Sequence, residues 1–171
     1  MKKIARLFFL TFTLLLISCG TGRSSQDYTA IAKAAIKLSM DIDAKDNHKL
    51  YITASEWIGV PYRSGGNSKQ GIDCSSLSSK LYHLVYGKNI TRGAERQRQE
   101  YGKDVKKSEL KEGDLVFFHN GRRKEYASHV GVYLKNKKFI HASSTYGVIV
   151  SSLDEDYWRN HWLSGGRLKN L

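Results

Sequence analysis

A chain of 171 residues, 40% apolar and 26% charged, can bury one core and is too short for two full domains. Its formal charge of +12 suits either a solvated basic surface or an acidic partner. The Lys and Arg residues are scattered as Lys-Lys and Arg-x-Arg pairs, with no dense stripe, zinc-finger spacing or basic helix. Nucleic acid therefore ranks behind anionic lipid and acidic polymer, and no nucleic-acid partner is expected.

At the N-terminus, Lys2, Lys3 and Arg6 precede an apolar run from Leu7 to Ile17 that ends at Ser18-Cys19-Gly20. This pattern predicts a signal peptide over residues 1–18. Eleven residues are too few to cross a hydrocarbon core of about 30 Å as a helix, so a retained anchor is the weaker reading. Leu16-Ile17-Ser18-Cys19 resembles a bacterial lipobox, which implies acylation of Cys19 as the first mature residue. The lipid would tether the protein to an extracytoplasmic membrane face. Gly20 in place of aspartate favours the outer membrane if the organism has two. Removal of Lys2, Lys3 and Arg6 lowers the formal charge to +9.

Residues 19–46 read as lipidated N-terminus, tether and one helix. Residues 20–27 are small and polar, so no fixed structure is expected there. Residues 28–40 have a helical period, with Tyr28, Ile31, Ala35 and Leu38 near one face. A polar break from Asp41 to Asn47 opens the main domain, 47–171. A second helix from His48 to Ile58 stops before Gly59, and Pro61 fixes an extended turn.

With Cys19 consumed by lipid, Cys74 is the one remaining thiol. It follows a glycine-rich stretch, Tyr62-Arg63-Ser64-Gly65-Gly66 through Gly71-Ile72-Asp73, and starts a helix marked by Leu77, Leu81, Leu84 and Val85. Asp73 is a good N-cap. The free amides of the first turn favour an anion beside them, so the position suits an activated thiolate and an oxyanion site. The plainer alternative is a small core cysteine.

A nucleophilic thiol needs a base. Of six histidines, His129 and His141 lie in strand-like runs, His129-Val130-Gly131-Val132-Tyr133-Leu134 and Phe139-Ile140-His141-Ala142. A turn at Lys135 to Lys138 makes these antiparallel neighbours, with His129 as base and His141 as its orienter. A simple two-residue turn at Asn136-Lys137 sets His141 opposite Val132, so an offset is required. His48, His83, His119 and His161 read as surface or packing residues. No two histidines have i, i+4 spacing and no second cysteine is available, so neither metal nor cofactor is expected.

From about residue 48 onward the chain resembles the NlpC-type cell-wall cysteine peptidases. The resemblance rests on Gly59-Val60-Pro61-Tyr62-Arg63, Gly71-Ile72-Asp73-Cys74-Ser75, Arg92 with Gln97, Leu110 with Gly113-Asp114-Leu115-Val116-Phe117-Phe118, His129-Val130-Gly131-Val132-Tyr133, and Phe139-Ile140-His141-Ala142-Ser143 with Gly147-Val148. It implies a papain-like α+β fold, with N-terminal helices packed on a mostly antiparallel sheet of about five or six strands. It also implies hydrolysis of amide bonds in peptidoglycan stem peptides, commonly γ-D-glutamyl to diamino acid, by a monomer. By position Cys74, His129 and His141 match the catalytic residues. Tyr62 matches an oxyanion or substrate donor, and Asp73 and Ser75 match contacts to the substrate's N-terminal end. Two residues depart from the pattern: Ser76 stands for glycine, which alters pocket shape, and Glu112 stands for proline, which is expected to affect only a surface turn. A thiol amidase or acyltransferase using the same pair, and a non-catalytic wall-binding lipoprotein, remain the alternatives. A Cys74–His129 pair is expected to give a bell-shaped pH profile.

Overall fold

The computed structural model describes residues 22–102 and 105–168, so the signal peptide, the lipobox and Cys19 lie outside the described residues. Helix α1 spans Gly22–Leu38 and so begins six residues earlier than the periodicity suggests. The expectation of an unstructured tether is thereby corrected for residues 22–27. The segment contains no proline, and its polar residues cost only tenths of a kcal/mol each in a helix, so helix propagates back from the packed end. That packed face is Ala34 and Leu38, with Met40 just beyond the helix, while Tyr28 points to solvent. Among the described residues no helix is long and apolar enough to cross a membrane.

Helix α2 (His48–Ser55) starts at Asn47, whose side chain accepts a hydrogen bond from the Leu50 amide, and ends three residues before the expected Ile58. The glycine-rich stretch forms a small hairpin of β1 (Asn67–Ser68) and β2 (Gly71–Ile72), and Tyr62 bridges to Ile72 beside it. Helix α3 (Cys74–Tyr86) runs from the Asp73 cap to Gly87, whose φ of 66° suits a residue without Cβ. Leu77, Leu81, Tyr82 and Val85 make its buried stripe, whereas Leu84 is turned outward. Helix α4 (Ala94–Tyr101) and a short 3-10 turn at Lys107–Glu109 lead into the sheet.

The sheet comprises β3 (Leu115–Phe118), β4 (His129–Tyr133), β5 (Lys138–Ser143), β6 (Gly147–Ser152) and β7 (Trp162–Gly166), in the order β6-β5-β4-β3-β7. Every pairing is antiparallel, as expected for the α+β reading. Alternate residues divide the core between the two faces. Leu115, Phe117, Val130, Val132 and Ile140 pack with α2 and α3. Val116, Phe118, Tyr133 and Phe139 pack beneath Trp158 of helix α5 (Asp156–His161). Gly131 lets β4 and β5 approach closely, since a Cβ there would lie 2.5 Å from the Phe139 ring.

Glu112 does more than shape a surface turn. Its carboxylate accepts a hydrogen bond from the buried Tyr51 hydroxyl at 2.7 Å and from the Asn47 amide at 2.9 Å. These bonds fasten the start of α2 to the turn before β3. Burial and then the Glu112 carboxylate push the Tyr51 hydroxyl pKa far above its ordinary range. Replacing Glu112 with Ala leaves that hydroxyl unpaired, and a cost of about 2 kcal/mol is expected in urea unfolding. Tyr51→Phe removes the same contact, so the double variant is expected to lose less than the sum of the two single losses.

Candidate active site

The Asp73 carboxylate organises the approach to Cys74. One oxygen accepts from the Ser76 amide at 2.7 Å and the Ser75 hydroxyl at 2.9 Å. The other accepts from the Gly65 amide and from Arg92, each at 3.1 Å. Burial alone would raise this carboxyl, but the Ser76 amide, the Ser75 hydroxyl and Arg92 together hold it below the usual value. Gln97, fully buried, donates to the Ser75 carbonyl at 3.1 Å and so pins α4 to the first turn of α3. Ser75 is buried with its hydroxyl on Asp73, which makes it part of the cap. Ser76 is buried as well, and its hydroxyl lacks a hydrogen-bond partner.

Cys74 thus heads α3, as the sequence indicates. The thiol, however, is pushed up to about 11: burial is the largest cause, the Asp73 charge adds to it, and the Val130, Ser75 and Cys74 amides only partly offset it. The helix terminus is present, yet burial outweighs it and the resting thiol is neutral.

His129 and His141 meet through a particular register. The pairs Val132↔Ile140 and Tyr133↔Phe139 are one residue out of step with a plain two-residue turn. Lys138 bonds to both Leu134 and Lys135, and Asn136 and Lys137 both adopt positive φ (52° and 62°). This is the required offset. Continued along the strands, it sets Gly131 opposite His141 and leaves His129 diagonal to His141 on the same face. His129 Nε2 lies 3.0 Å from His141 Nδ1, and His141 Nε2 lies 3.1 Å from Ser151 Oγ. Trp158 stacks on His129 at 5.4 Å and meets His141 edge-on at 4.7 Å. Burial pushes His129 down to about 4, and burial with the His129 charge pushes His141 well below its ordinary value.

One tautomer arrangement lets His129 act as base. Its Nε2–H donates to His141 Nδ1, His141 Nε2–H donates to Ser151, and His129 Nδ1 is left bare for the thiol proton. His141 is then a neutral acceptor that stabilises an imidazolium on its neighbour. Ser151 is legible only once the β5–β6 register is known: His141 pairs with Ile149, and Ser151 is its diagonal neighbour. Trp158 gives no sequence signal.

Cys74, His129 and His141 line one cavity of about 600 Å³, walled further by Tyr157, Trp158 and His119. His119, read from sequence as a surface or packing residue, therefore borders the site. A second cavity of about 480 Å³ adjoins it on the Asp73 side, and Tyr62, Cys74 and Ser128 border both. Tyr62 is 36% exposed, and burial followed by the Cys74 and Asp73 charges raises its hydroxyl pKa. Its placement suits a donor to substrate. His48 and His83 are engaged away from the cleft, with the Asp43 carbonyl and the Asn89 side chain.

Because the folded protein keeps His129 neutral down to about 4 while an unfolded histidine titrates near 6.5, the stabilisation is complete above 6.5 and is lost as pH falls toward 4. The loss is expected to reach at most about 3 kcal/mol from His129. Urea unfolding at pH 7, 5 and 4 checks this: the decline is expected to shrink in His129→Gln, and an equal decline in both proteins would contradict it.

The model of the NlpC/P60 family matches residues 59–167. A probable endopeptidase NlpC homolog of Haemophilus influenzae is 44% identical over 114 residues, covering 67% of this chain and 58% of that protein. The murein DD-endopeptidase MepS/murein LD-carboxypeptidase of Escherichia coli is 41% identical over 114 residues, with the same coverage of 67% and 58%. The chain thus spans 58% of the length of these two curated relatives. A crystal structure of an NlpC/P60 family protein from Bacillus cereus superposes with a TM-score of 0.65 at 28% identity, covering 74% of this chain and 41% of that one. The matched segment contains Tyr62, Cys74, His129 and His141, and the chain belongs to the NlpC/P60 family.

Proposed function

We propose that this protein is an extracytoplasmic cysteine endopeptidase that hydrolyses amide bonds in peptidoglycan stem peptides, with the γ-D-glutamyl to diamino acid bond the first candidate. The observation that carries the reading is the Cys74 thiol at the start of α3, sharing one cavity with the His129–His141–Ser151 chain. Both reacting groups rest neutral, so proton transfer accompanies attack. His129 Nδ1 takes the thiol proton as sulfur adds to the scissile carbonyl, and His141 supports the imidazolium. Amides at the start of α3, with the Tyr62 hydroxyl, face the developing oxyanion. His129 returns the proton to the departing amine, and water then cleaves the thioester by the same route. A lipid on Cys19 would hold the domain against a membrane, the outer one in a two-membrane cell, with the wall within reach. A monomer with no metal, cofactor or nucleic acid suffices for this chemistry.

Muropeptide digestion followed by mass spectrometry tests the reading. The native protein is expected to release peptide fragments, and Cys74→Ala none. His141→Ala is expected to lower kcat by about 10- to 100-fold, the usual worth of a group that orients a base. New acyl-transfer products would indicate a transferase, and binding without turnover in both proteins would sink the enzymatic reading. The pH dependence of kcat/KM is a bell with widely spaced limbs. Rate falls below about 4, where His129 is protonated, and above about 11, where the thiol proton needed by the leaving amine is gone. A narrow bell centred near neutrality would contradict a neutral resting pair.

A further inference from the structure

The cleft on either side of Cys74 is unequally charged. A leaving amine must take its proton from His129, so the leaving part of a substrate lies in the cavity walled by His129 and Trp158. The acyl part then occupies the cavity on the Asp73 side, bordered by Arg92, Glu95 and Arg96.

Both carboxylates of the acyl-side cavity are already committed. Asp73 has four donors for its four lone-pair positions, Arg92 among them. Glu95 is equally engaged: Arg98 donates twice, at 2.9 and 2.8 Å, the Gln99 amide at 3.1 Å, and the Ala127 backbone amide at 2.7 Å. Arg92 and Arg98 neutralise these two acids. Arg96 also borders the cavity, is exposed, and makes no ion pair among the described residues. Its stem lies along Gly93, where an added Cβ would stand 3.9 Å away, so the chain runs back over the cavity rim. The acyl side therefore carries one uncompensated positive charge. The leaving side is bordered by one carboxylate, Glu155, and by no Lys or Arg.

We propose that Arg96 is a specificity-determining residue that binds a free carboxylate on the acyl part of the substrate, and that Asp73, closed by Arg92, does not read a free amino terminus. This rests on the wall-peptidase reading of the site. The preferred substrate class is an acidic acyl residue joined to an amine-bearing leaving residue, with its amino terminus free or blocked. Peptides embedded in polymer are then as acceptable as free ones.

Four synthetic γ-D-glutamyl-diamino-acid peptides test the assignment: the glutamyl α-group is carboxylate or carboxamide, and the amino terminus is free or acetylated. The native protein is expected to favour carboxylate over carboxamide by about tenfold in kcat/KM, a fold-change typical of one charge-assisted hydrogen-bonded contact. Acetylation is expected to change the rate by less than about twofold. Arg96→Gln is expected to abolish the carboxylate preference, and Arg96→Lys, which keeps charge without the planar fork, to retain part of it. Equal rates for the two α-groups, an unchanged preference in Arg96→Gln, or a block by acetylation would overturn the proposal. If the native protein cuts none of the four, the γ-D-glutamyl bond assignment fails by itself. Calorimetric binding of the same peptides to Cys74→Ala then decides the selectivity, with equal affinities for carboxylate and carboxamide overturning it.

Discussion

In a hairpin closed by two residues, His129 and His141 would project from opposite faces of the sheet, because side chains alternate with a period of two. The extra residue taken up between Leu134 and Lys138 reverses that parity and sets both imidazoles on one face, 3.0 Å apart. Lys137 adopts a left-handed conformation to make the turn, and the turn is held from outside. The Lys137 amide donates to the Tyr133 hydroxyl, its carbonyl accepts from Leu153, and its ammonium meets Asp154. A feature some distance from the thiol thus decides whether the proposed base, His129, is oriented by His141.

The second determinant is the cap on α3. Asp73 joins the helix start, the glycine-rich loop and Arg92 through one carboxylate, so the Cys74 thiol sits on a rigid element. Burial acts in opposite directions on the reacting groups, raising the thiol and lowering the imidazole. Each charge is disfavoured alone, and in the proposed mechanism the pair ionises together as a substrate carbonyl receives the sulfur. The same cap occupies the Asp73 carboxylate with four donors, which is why the proposed acyl-side contact falls to Arg96.

Much of this was legible in the residues. The spacing of Leu77, Leu81 and Val85 behind Asp73-Cys74 marks a capped helix, and the runs around His129 and His141 mark paired strands. The need for an offset follows from counting the turn, but its form does not, because Lys137 has no intrinsic preference for positive φ. Ser75 reads from sequence as a substrate contact and serves the cap, since its hydroxyl finds Asp73 two residues back. Glu112 reads from sequence as a replacement for a turn proline, whereas its partners, Asn47 and Tyr51, lie more than sixty residues away in sequence. Trp158, His119 and Ser151 enter the site through tertiary packing that local periodicity does not encode. Helix α1 starts ahead of its periodic stretch because polar residues tolerate helix once an adjacent segment is anchored.

The proposed catalysis depends on Cys74 resting as a neutral thiol beside a neutral His129. The rate of Cys74 alkylation by iodoacetamide, followed by intact-protein mass spectrometry across pH, measures that state directly, since only the thiolate reacts. The predicted result is slow modification near neutrality that rises with an apparent pKa of about 11. Rapid alkylation already at plateau between pH 5 and 8 would show a preformed thiolate–imidazolium pair and contradict the account.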